Sequence, residues 1–235
     1  MAEHQKAAPT HGILSVVAVG AHADDLEVGC FGTLALFRDL GATITAVVMT
    51  TTPSVDHFGK VFRPEGARDA LEGAKVLGIE DTVLLPFRNN EVPYSRESIQ
   101  ALNRVFDDRR ADLILTHWVG DNQQDHQNTA NSVISAARHY HNIWMFEPPP
   151  GRPPVSTTPF RPLLYVDISP HLEMKLRAIA SHKEEYERLG GDKFFAQWEW
   201  RARLRGAEIR AAAAEAFEPV KLLANSLLPS LEPKG

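Results

Sequence analysis

The run ILSVVAVG at residues 13–20 limits the fold more than any other stretch. It is almost wholly apolar, rich in β-branched residues and closed by glycine. A strand apolar on both faces needs cover on both, and that is the setting of a parallel sheet flanked by helices. The polar turn AHADD follows, then a predicted helix over residues 28–40 with Gly41 as its C-terminal stop. Residues 43–49 (TITAVVM) form the second expected strand. Residues 64–77 have helical periodicity, with a proline near the start and Gly78 after the end. Residues 82–85 predict a strand, 95–108 a helix with Ser95 as N-cap, 113–116 a strand and 128–139 a helix.

This alternation implies right-handed crossovers and an α/β fold. The expected form is a Rossmann-like three-layer sandwich with a mostly parallel central sheet. Such sheets carry their sites at the carboxyl ends of strands. The pattern breaks at residues 147–162, EPPPGRPPVSTTPFRP, where seven prolines rule out regular structure. That segment is either a spacer or a pocket wall. A late strand at 163–168 and two helices at 170–189 and 194–214 complete the reading.

The 235 residues, 43% hydrophobic, suffice for one core, so one domain is expected over residues 1–235, with flexible ends at 1–11 and 230–235. A net charge of −5 gives no footprint for nucleic acid or acidic lipid. A single cysteine, Cys30, leaves no disulfide framework. The first residues lack the apolar stretch of a signal peptide, and no run reaches the length of a membrane span. A cytoplasmic location is the expectation. Mixed-sign helices near the C-terminus permit a homo-oligomer without requiring one.

Two motifs follow predicted strands. In the first, His22, Asp24, Asp25 and Glu27 fall within six residues. Acids at a helix start can be simple caps for exposed N–H groups. Alternatively, His and Asp are ligands for a divalent metal of zinc type, and a neighbouring acid can take a proton from metal-bound water. The second motif runs from Thr116 through His117, Asp121, Asp125 and His126. A catalytic zinc keeps three protein ligands and one open position. His126 is a natural third ligand, arriving from a second strand end. Asp125 is an outer acid able to orient a ring. His117 is either a group behind the ligands or a transition-state donor, or else a structural histidine.

Together these motifs resemble the LmbE-like, or PIG-L, family of de-N-acetylases. Residues 21–27 (AHADDLE) are similar to the family's AHPDDE, and residues 123–126 (QQDH) to its H-x-D-H-like segment. Weaker likeness extends over residues 74–78, 180–186 and 214–220. The resemblance implies one Zn2+ per chain, or another divalent metal, bound by His22, Asp25 and His126. It implies Asp24 as general base and places Asp125 beside the third ligand. The implied reaction is removal of an acetyl group from an N-acetylglucosamine-like amino sugar or its conjugate. Three departures stand out. Ala23 replaces a proline, Leu26 precedes Glu27, and Gln123 stands where many members carry a histidine.

Arg63 and Arg68 are candidate substrate contacts or surface charges. Trp118, Tyr140 and Trp144 are candidate stacking faces for a sugar, or core residues. An amidase or esterase for a non-sugar acyl group would use the same residues. A non-catalytic sugar-binding homologue is the rival from another class. A nucleotide-binding protein is disfavoured, because no G-x-G-x-x-G follows the first strand.

Overall fold

In the computed structural model the described residues are 14–55, 61–63, 67–150, 159–182, 187 and 190–223. The chain begins with β1 (Ser15–Gly20), α1 (Asp25–Gly29), α2 (Phe31–Asp39) and β2 (Thr43–Thr50). A short antiparallel pair, β3 (Ser54–Val55) and β4 (Val61–Arg63), precedes α3 (Ala67–Leu77) and β5 (Asp81–Phe87). Next come α4 (Arg96–Arg109), β6 (Leu113–His117), α5 (Gln124–Ala136) and β7 (Ile143–Phe146). The last part holds β8 (Leu164–Asp167), α6 (Leu172–Ser181), α7 (Asp192–Ile209) and β9 (Ala214–Lys221).

Among the described residues seven strands form one sheet in the order β5-β2-β1-β6-β7-β9-β8. The pairs from β5 through β7 are all parallel, and β9 runs antiparallel to both of its neighbours. The fold is therefore α/β with a mostly parallel central sheet. β1 lies inside the sheet between β2 and β6, and its alternating side chains explain why. Val17 and Val19 enter a core with Val105 and Phe106 of α4 and Val133 of α5. Val16 and Ala18 enter a second core with Phe31 and Leu34 of α2, Leu77 of α3 and Ala178 of α6. Burying one such large side chain stabilises by about 1.5–3 kcal/mol, so burial outweighs any propensity difference. A buried ion pair braces the second layer. Glu215 of β9 accepts the N–H groups of Gly32 and Thr33 at the start of α2, and Lys175 of α6 donates to it at 2.5 Å. Lys175 also donates to the Val28 carbonyl, so the α1–α2 junction is tied to β9 and α6 at once.

Several expected boundaries are corrected. The helix read over 28–40 is two helices that break at Cys30, whose φ of −146° is not helical. Its end is as expected: Gly41, at φ 89°, closes it, its own N–H donating to the Arg38 carbonyl and the Ala42 N–H to the Phe37 carbonyl. The helix read over 128–139 begins at Gln124 and finishes as a 3-10 turn at Ala137–His139. β7 was not expected as a strand. The helix read as ending at 214 stops at Ile209, and Ala214 opens β9. α6 ends at Ser181, short of the expected 189; residues 183–186, 188 and 189 lie outside the described residues. The same holds for the expected ends 1–11 and 230–235 and for 151–158 of the proline-rich segment. The described parts of that segment contain neither helix nor strand. Among the described residues no helix is long and apolar enough to cross a membrane.

Candidate metal and catalytic site

β1 and β6 are neighbours, yet the chain leaves β1 toward β2 and leaves β6 toward β7, on the opposite side. The crevice beyond their carboxyl ends is the topological switch point of the sheet, where such folds place ligands. His22, Asp24 and Asp25 leave the end of β1, and His117 ends β6. His126 sits in the first turn of α5, not in a loop, because that helix starts earlier than its sequence suggests. Gly20 makes room for this arrangement: a Cβ there would lie 2.9 Å from the Cβ of Asp25.

The structure brings His22, Asp25 and His126 together. His126 Nε2 is 3.3 Å from His22 Nδ1 and 3.3 Å from Asp25 Oδ1. His22 Nδ1 is 3.4 Å from Asp25 Oδ2. Each imidazole is held by a carboxylate on its far nitrogen. His22 Nε2 meets Asp125 Oδ2 at 3.0 Å, and His126 Nδ1 meets Asp121 Oδ2 at 2.8 Å. A carboxylate only accepts, so these far nitrogens carry the protons and the near nitrogens can offer lone pairs. Such carboxylate–histidine chains orient metal ligands.

His117 lies behind the group. Its ring stacks on His126 with centroids 4.0 Å apart, and its Nε2 is 3.0 Å from Asp25 Oδ2. The Ala21 N–H donates to the same Nε2 at 3.0 Å, while the His22 N–H donates to Asp25 Oδ2 at 2.6 Å. Within the first group, His22 Nδ1, His126 Nε2 and the Asp25 oxygens face one another at 3.3–3.4 Å, and a cation among them relieves that crowding. The surrounding acids also favour positive charge at the site, either as a second proton on His22 or as a metal ion that displaces that proton. Burial opposes charge on His22, yet Asp25 and Asp125 override it and push the ring up to about 10. Burial and then His126 push His117 down to about 4, so it is a neutral ring. Burial would raise Asp25, but His126, His117 and His22 hold it well below the usual carboxylate range. Two imidazoles and a carboxylate, crowded as acceptors, fit a cation of zinc type.

His117, Asp121 and His126 also come close enough to form a second triple. There, however, the Nδ1 of His126 carries the proton that Asp121 accepts, and His117 Nε2 accepts from Ala21. In that triple both nitrogens are already engaged, and His126 meets His22 through its other nitrogen.

Asp24 is the N-cap residue of α1, and its side chain makes no capping hydrogen bond. It is half-buried beside His22 and adds to the negative field on that ring. Glu27 does not join the cluster. It is buried 3.7 Å from His182, under Gly73 of α3. Gln123 accepts the His126 N–H through its side-chain oxygen and so caps α5. Tyr140 and Trp144 are core residues: Tyr140 donates to Asp107, and Trp144 packs between Phe37 and Phe217. Trp118 is buried against Phe160. The side chains of Arg63 and Arg68 lie outside the described part of the structure.

Sequence reasoning named Asp121 but gave it no role. The available signal was its position five residues before His126, across a helix start. The partners of Asp125 on the other side carried no signal: the backbone N–H groups of Asn90 and Val92 donate to it at 2.7 and 3.0 Å.

Comparison with known proteins bears on the family and the fold. The PIG-L family, described as GlcNAc-PI de-N-acetylase, matches residues 17–137, slightly more than half of the chain. The uncharacterized deacetylase YaiS of Escherichia coli K12 is 31% identical over 175 residues, 72% of this chain and 90% of its own. The diacetylchitobiose deacetylase of Thermococcus kodakarensis is 26% identical over 193 residues, 76% of this chain and 72% of its own. The crystal structure of the conserved protein TT1542 from Thermus thermophilus superposes with a TM-score of 0.72 at 18% identity, covering 90% of this chain and 96% of that one, a likeness of fold. With its switch-point crevice, its paired motifs and these relatives, the chain belongs to the PIG-L family of de-N-acetylases, hydrolases of amide bonds.

Proposed function

We propose that this protein removes the acetyl group from an N-acetylglucosamine-like amino sugar or its conjugate, at a zinc ion held by His22, Asp25 and His126. One observation carries the reading. Two imidazoles from separate strand ends turn their near nitrogens toward one carboxylate, and each is clamped from behind by another acid. A bound zinc would supply an acidified water and a polarised acetyl carbonyl. Asp24, beside the ligands and not used as a cap, accepts the proton of the attacking water. It then returns that proton to the departing amine, so one carboxylate serves both halves of the reaction. His117 acts behind the ligands: its buried ring stacks on His126 and backs that side of the site. Gln123 acts as the cap that places His126. The sugar class is supported by the family description and by the diacetylchitobiose deacetylase among the relatives.

The test is release of free amine from N,N'-diacetylchitobiose and N-acetylglucosamine by zinc-loaded and chelator-stripped protein. Release that depends on zinc supports the reading. Release from acetylated peptides alone would favour the amidase rival. Asp24→Asn should keep zinc bound while turnover falls about 10²- to 10⁴-fold, the usual contribution of a positioned base. Near-normal turnover of that variant removes Asp24 from the role.

A further inference from the structure

Asp125 has no solvent exposure, and its carboxylate holds the His22 ring. What holds Asp125 in turn is the loop after β5. The Asn90 N–H donates to Oδ2 at 2.7 Å and the Val92 N–H to Oδ1 at 3.0 Å. Two peptide groups two residues apart converge on one carboxylate only if the chain between them curls. The curl is a turn in which the Glu91 N–H donates to the Arg88 carbonyl at 3.1 Å, with Asn90 as its third residue at φ 64°. Turns of this kind need a positive φ at that position, which asparagine tolerates and β-branched residues do not. Neighbouring elements pin the turn on both sides. The Asn89 N–H donates to Thr52 after β2, and Asn128 of α5 donates to the Val92 carbonyl.

We infer that Asn90 is a positioning residue for the metal site: its left-handed backbone aims two peptide N–H groups at Asp125, and Asp125 thereby fixes the His22 ring. The chain of contacts runs from a strained surface turn through a buried acid to a ligand. The backbone of Asn90 does the work, and its side chain need not. The inference rests on the metal reading above.

The experiment measures zinc affinity of chelator-stripped protein by competition with a chromophoric chelator, with the visible spectrum of the cobalt-substituted protein alongside. Asn90→Gly, which keeps the positive φ available, should bind zinc within about threefold of wild type, since glycine adopts that backbone without strain. Asn90→Val should bind about 10- to 100-fold more weakly, the usual loss when an outer orienting contact fails, and its cobalt spectrum should shift. Should Asn90→Val fail to fold, Asn90→Ala takes its place with a loss in the same direction. Glu91→Ala, in the same turn, should bind zinc like wild type. Wild-type affinity in Asn90→Val (or in Asn90→Ala where that replaces it), or an equal loss in Asn90→Gly, overturns the inference and leaves the metal reading standing. Failure of the wild-type protein to bind zinc would instead bring down both.

Discussion

An imidazole has two nitrogens, and the one that faces away decides how the other is presented. Asp125 and Asp121 take the far nitrogens of His22 and His126. They come from different places: Asp125 from the first turn of α5, Asp121 from the loop before it. Asp121→Asn keeps a side-chain acceptor for His126 but removes the charge. Zinc affinity of the stripped protein should fall by about 10- to 100-fold, with secondary structure unchanged by circular dichroism. Unchanged affinity would show that the Asp121 contact does not tune the ligand. At this scale much was legible. His22, Asp24 and Asp25 fall within four consecutive residues, and Asp125–His126 are adjacent. The illegible part was backbone. Nothing in Asn90-Glu91-Val92 announces two peptide groups aimed at an acid 33 to 35 residues away.

At the level of elements, burial repeatedly overrode local preference. Residues 211–217, AAAAEAF, favour helix, and the sequence reads so to Ala214. Yet the helix stops at Arg210 in the left-handed region, and β9 fills the slot between β7 and β8. Its Phe217 is wholly buried, and its acids find cations in Lys175 and Arg161. The start of α5 was misread because glutamine is not a favoured N-cap, although Gln123 serves as one here. Gly41 and Ser95 were readable because each has one common structural use, and both perform it. One element contact predicts a pH effect. The Arg109 guanidinium at the end of α4 grips Asp81 at the start of β5, and Thr45 also donates to it. Together they hold Asp81 below its ordinary 3.8. A depressed carboxyl adds stability above its unfolded value and loses it as pH falls through the folded one. Asp81→Asn should therefore lower stability near neutral pH by about 0.2–1 kcal/mol, as partly exposed pairs do. By about pH 3 the difference from wild type in denaturant melts should shrink markedly. A gap equally large at that pH would show that the charge on Asp81 contributes nothing.

Across the whole molecule, the sheet's topology makes the site. His22 and His126 are 104 residues apart in sequence, and their rings are 5.2 Å apart in space. The alternation of strands and helices made a parallel sheet readable, with sites at its carboxyl edge. The strand order was not readable, because the apolar runs of β1, β2 and β6 are nearly interchangeable and only their packing partners distinguish them. The placement of β1 beside β6 turns two short motifs into one crevice. The direct test is a zinc titration of chelator-stripped protein, comparing wild type with His22→Ala and His126→Ala. Wild type should take up a single tight zinc, and each variant should lose more affinity than the about 10- to 100-fold expected for an outer carboxylate. Zinc uptake of wild-type strength in either variant would contradict a metal centre shared between the two strand ends.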